Sequence, residues 1–95
     1  MMTLATTPFN MAEMLDSEEV IQEYFRQVMD DGDSDEILRA LGHIARARGM
    51  SRLAEETGMG RESLYKALSP GALPRFDTIL KVTRALGLKL TVASA

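Results

Sequence analysis

Residues 50–71 place the tightest constraint on the fold. Two short stretches with helical apolar spacing, 50–57 and 61–68, are separated by Gly58-Met59-Gly60 and closed by Ser69-Pro70-Gly71. Glycine accepts a positive φ at low cost, and proline removes the amide that would continue a helix. The spacing therefore predicts a short helix, a tight turn and a second short helix. Leu53, Met59, Leu64 and Leu68 fall where they would point into a core, and Ala54 is small where the helices would approach. Two short helices crossing steeply through such a turn form a helix-turn-helix arrangement.

The flanking sequence extends this to an all-α fold of about five helices with a short C-terminal strand. Asp16 and Glu19 stand in capping-box spacing, with Leu15 and Val20 at the staple positions. Val20, Ile21, Tyr24, Phe25 and Val28 then recur on one helical face as far as about residue 30. Asp31-Gly32-Asp33 reads as a turn. Asp33 and Glu36 repeat the cap, and Ile37, Leu38, Leu41, Ile44 and Ala45 form the next stripe. Arg46 and Arg48 suit the negative end of that helix, and Gly49 stops it. A last helix is expected over 76–86, with Ile79, Leu80 and Leu86 inward and Gly87 ending it. Leu88-Lys89-Leu90-Thr91-Val92 alternates like a strand. A lone strand cannot satisfy its backbone, so it needs either the N-terminal segment or a second subunit; a symmetric dimer is the favoured solution. Residues 1–15 have no clean helical period, and Pro8 forbids an early helix. The resulting division is an acidic arm and first helix (1–32), a helix-turn-helix domain (33–87) and a C-terminal strand (88–95).

Charge divides the chain as well. Residues 1–36 carry ten acids and one base, a net −9; residues 37–95 carry four acids and ten bases, a net +6. Such asymmetry suggests two surfaces with different partners. The basic half suits phosphates, and the acidic half would be repelled by DNA and suits a basic protein. The second helix of the pair would expose Arg61, Glu62, Ser63, Tyr65 and Lys66, the side chains that a recognition helix lays in a major groove. Arg61 matches guanine O6 and N7 or a phosphate. Ser63 fits a base edge or phosphate, Tyr65 a sugar or thymine methyl, and Lys66 a phosphate. Ser51, Arg52 and Ser69 lie where helix ends meet a backbone. Glu62 either accepts from cytosine N4 or pairs with Lys66 at i,i+4; the pairing is the expectation.

The stretch from Leu53 to Ser69 resembles the XRE/Cro-like helix-turn-helix. More narrowly, the chain resembles the addiction-module antidote proteins, the HigA-like antitoxins. The resemblance rests on Thr7-Pro8-Phe9 with the acidic first helix after it, on Leu41-Gly42-His43-Ile44-Ala45-Arg46-Ala47-Arg48-Gly49-Met50, and on Leu80-Lys81-Val82 with Ala85-Leu86-Gly87-Leu88. It implies a small, basic, RelE/ParE-like toxin encoded nearby as partner, and binding to the operon's own operator DNA as a homodimer. Gly60 departs from the pattern, standing where such motifs usually carry a serine that caps the recognition helix and can touch a phosphate.

Other chemistry finds little support. His43 has no companion ligand and reads as a packed structural residue. The acidic run Asp30, Asp31, Asp33, Asp35 and Glu36 lacks the spacing of a calcium loop and reads as capping and solvation. No nucleophile has a base and an orienter, so no enzyme, metal or cofactor is expected. There is no cysteine, no basic-then-apolar leader and no run of the roughly 18 apolar residues that spans a bilayer, so a cytoplasmic protein without membrane contact is expected. The methionines read as soft core filler, except that Met11 and Met14, with Phe9 and the acids Glu18, Glu19 and Glu23, are candidates for binding the partner protein. The competing functions are a stand-alone phage- or plasmid-type repressor without a toxin, and an interaction module that no longer binds DNA.

Overall fold

The computed structural model describes residues 15–94, and within them it holds five helices: α1 (Glu18–Asp31), α2 (Ser34–Arg48), α3 (Met50–Thr57), α4 (Arg61–Ala67) and α5 (Phe76–Ala85). The expected arm falls outside these residues. Helix α1 packs along α2, α3 packs on α2, α4 and α5, and one core joins them all.

Each boundary has a local cause. Ser17, rather than Asp16, caps α1: its Oγ accepts from the Val20 amide at 3.2 Å. Adjacent residues that can both cap are not separable by spacing alone. Leu15 is buried as a staple would require, but Val20 is 42% exposed. The buried arc of α1 is Ile21, Tyr24, Phe25 and Val28, and at about 100° per residue Val20 falls at its edge. The Asp33–Glu36 capping box forms in both directions: the Glu36 amide donates to Asp33 Oδ1 at 2.9 Å and the Asp33 amide to Glu36 Oε1 at 3.2 Å. Gly32 is held there by space, because a Cβ would lie 2.7 Å from the Val28 carbonyl oxygen.

Leu41, Ile44, Leu53, Leu64, Val82, Thr83 and Leu86 are the largest fully buried side chains. They come from α2, α3, α4, α5 and the residue after it, so α3 is held between α2 and α5, and α4 packs on α3 and reaches the same core. In α5 the inward face differs from the expected one. Val82 and Thr83 are buried outright, while Ile79 and Leu80 are half-buried. The Thr83 hydroxyl is satisfied by donating to the Leu80 carbonyl at 3.1 Å.

The expected C-terminal strand is not found among the described residues. The apolar alternation is used in packing instead: Leu88 is buried, Leu90 packs on the core and Val92 stands 95% exposed. The Leu88 amide donates to the Thr83 carbonyl at 2.8 Å. This hydrogen bond folds the tail back from the end of α5 and away from an extended ladder.

Candidate functional site

The α3–α4 pair is built from its buried side outward. Gly58 ends α3 in the left-handed conformation (φ 74°, ψ 13°), with its amide donating to the Ala54 carbonyl at 2.9 Å. Thr57 reinforces the end of the helix: its hydroxyl donates to the Leu53 carbonyl at 2.8 Å and accepts from the Met59 amide at 3.3 Å. The chain then re-enters a helix at Gly60, which is extended and supplies no side-chain cap. Leu64 and Leu68 lock one side of α4 into the core, with Met59 packed against it. Arg61, Glu62, Ser63, Tyr65 and Lys66 are consequently all exposed on the other side, where the sequence places them.

The flanking positions are partly engaged. Ser51 is exposed. Arg52 pairs with Glu56 at 3.2 Å, one turn on. Ser69 donates to the Tyr65 carbonyl at 2.6 Å, finishing α4. The expected Glu62–Lys66 pair does not form; neither residue takes part in an ion pair among the described residues. On a helix as short as Arg61–Ala67, such an exposed pair would contribute only about 0.2–0.5 kcal/mol, too little to fix two long side chains. The turn after α4 is tied to the start of α2, since the Gly71 amide donates to Asp35 Oδ1 at 2.8 Å. Sequence reasoning missed Asp35 in this role because the contact spans 36 residues and leaves no periodic trace.

On α1 the acids are unequal. Glu18 reaches across to Arg48 at 3.0 Å, and Glu23 pairs with Arg26 and accepts from Gln27 Nε2 at 3.2 Å. Glu19 is in no ion pair among the described residues. Asp30 and Asp31 end the helix with no base in its last turn, where the helix dipole disfavours negative charge. Phe9, Met11 and Met14 lie outside the described residues.

His43 sits half-buried on α2 between Arg39 and Arg46. Burial first, then these two cations, lower its pKa. Burial also raises the Tyr24 phenol. No cluster of metal-ligating side chains occurs among the described residues, and no helix there is long and apolar enough to cross a membrane.

The family described as "Probable addiction module antidote protein" matches residues 5–94. An uncharacterized protein of Haemophilus influenzae is 47% identical over 91 residues, which span 96% of this chain and 94% of that relative. No solved structure gives a significant match. The family match covers nearly the whole chain and takes in both the acidic first helix and the α3–α4 pair: the chain belongs to the probable addiction-module antidote proteins.

Proposed function

We propose that this protein is the antitoxin of a type II toxin–antitoxin module. It binds and neutralises a small basic RelE/ParE-like toxin and represses its own promoter as a homodimer, through an XRE/Cro-like helix-turn-helix. The observation that carries the DNA half is α4. Its inner side is immobilised by Leu64, while Arg61, Ser63, Tyr65 and Lys66 are presented together on its exposed side. Neither Arg61 nor Lys66 is neutralised by an acid among the described residues. Rigid backing fixes where these groups point, which is what reading a base edge requires.

The toxin half rests on the acidic face. Asp30 and Asp31 are placed against the helix dipole, and folding alone would select the opposite sign there. A basic partner supplies the missing compensation, and complementary charge would speed its capture. The mechanism is steric and electrostatic: α1 and the arm cover the toxin's basic working surface.

A mobility-shift titration on the DNA upstream of the gene tests the DNA half. Wild type gives a discrete shift, and Arg61→Ala with Lys66→Ala abolishes it. A shift that survives the double substitution would show that α4 is not the reading element.

A further inference from the structure

The loop before α5, the outer face of that helix and the tail beyond it leave apolar surface open. Leu73 is 96% exposed and Phe76 68% exposed. Phe76 shares a helix face with the half-buried Leu80, four residues on. Beside Leu80 a groove of about 340 Å³ is lined by Thr83, Arg84, Leu88, Lys89 and Leu90. A cavity of about 150 Å³ holds a benzene ring, so the groove accommodates a phenyl side chain.

The charges around these two features are opposite. Asp77, next to Phe76, is an exposed carboxylate whose one ion pair among the described residues is with Arg75, at 3.4 Å. Arg84 and Lys89, at the groove, are in no ion pair among the described residues. One end of α5 therefore offers an aromatic ring beside an anion, and the other an apolar slot beside two cations. The ring does not fill its own slot: Phe76 is 68% exposed and is not among the residues that line the groove. Phe76 and Arg84 lie eight positions apart on one helix, roughly 12 Å at 1.5 Å per residue. A second copy related by a two-fold axis, with its α5 antiparallel, brings each ring to the other's slot, the self-complementary arrangement that such symmetry demands.

We infer that α5 is the homodimer interface: Phe76 of each protomer fills the groove beside Leu80 of the other, and Asp77 faces the partner's Arg84 and Lys89. This rests on the homodimer of the preceding reading and gives it a surface. A basic toxin is repelled by Arg84 and Lys89. DNA would meet those cations but would leave Phe76 unmatched and would be repelled by Asp77.

Sedimentation equilibrium of the full chain tests the assignment, with circular dichroism confirming that each variant is folded. Wild type is a dimer. Phe76→Ala, at an exposed position, and Asp77→Arg each weaken dimerisation by about tenfold or more, the equivalent of about 1.4 kcal/mol. Asp77→Arg combined with Arg84→Asp, which exchanges the charges across the axis, recovers most of it. Dimers as tight as wild type in the single variants would overturn the interface while leaving the homodimer standing. Variants that dimerise normally but no longer retain the toxin would assign the face to the toxin and overturn it too. A monomeric wild type would overturn the homodimer itself.

Discussion

Gly58 and Gly60 lie two residues apart in the same turn, and their geometry predicts opposite responses to substitution. At Gly58 φ is +74°, and a Cβ would meet nothing within 4 Å. The cost of Gly58→Ala is therefore purely conformational, about 1–2 kcal/mol for an L-residue in the left-handed region. Restricting the unfolded chain returns about 0.4–1 kcal/mol, leaving a net loss near 1 kcal/mol. For a domain of this size that lowers Tm by about 4–8 °C. Gly58→Asn should lose less, since asparagine tolerates this region. At Gly60 φ is −71° with ψ 153°, already the backbone of a helix cap, and again a Cβ would meet nothing within 4 Å. Gly60→Ser adds a capping oxygen and should stabilise by a few tenths of a kcal/mol. It also restores a hydroxyl where it can meet a phosphate, so operator affinity should rise. Thermal unfolding by circular dichroism reads both. Equal Tm for Gly58→Ala and wild type, or a lower Tm for Gly60→Ser, would refute the turn geometry.

Further outcomes follow from the same structure. Arg61→Ala should weaken operator binding by about 1–3 kcal/mol and relax specificity at one base pair, whereas Lys66→Ala should weaken all sequences alike and reduce the salt slope by about one; mobility shifts over a salt series separate the two. Asp33→Ala removes one side of the capping box of α2 and should cost about 1 kcal/mol, read as a shift in urea midpoint at unchanged m-value. His43 has a lowered pKa in the folded protein, so the unfolded chain binds the proton more readily. Its neutral form is compatible with full stability above pH about 6.5, and stability should fall as pH drops below that value towards the folded pKa. His43→Gln should flatten this part of a Tm-against-pH profile, and an unchanged slope would assign it to other groups.

Most of the fold is legible in the residues, for identifiable reasons. The Asp33–Glu36 box and Gly58 at the end of α3 depend on contacts within one or two turns, and Leu53, Leu64 and Leu68 recur at helical spacing, so the sequence records all of them directly. The exposed face of α4 follows from the buried one. What the sequence hides is either degenerate or distant. Asp16 and Ser17 are neighbouring capping residues, and only the backbone selects Ser17. The burial of Val82 and Thr83 depends on how α5 leans on α3, which no period within α5 encodes. The tail reads as a strand because Leu88, Leu90 and Val92 alternate, but Leu88 and Leu90 reach the core and the Leu88 amide turns back to Thr83. The same alternation thus serves packing as well as a ladder. The bond from Gly71 to Asp35 joins segments whose proximity exists only in the fold.

The central claim is that one small chain carries two working surfaces, a cationic α4 and an acidic α1, and that the second silences a toxin. Co-expression with the product of the adjacent gene tests it most directly, with growth and co-purification as readouts. The account predicts that the wild-type chain relieves the growth arrest caused by that product and purifies with it. It also predicts that replacing Glu19, Asp30 and Asp31 by lysine abolishes both effects while leaving operator binding intact. Growth arrest that persists in the presence of the wild-type chain, with no complex recovered, would contradict it.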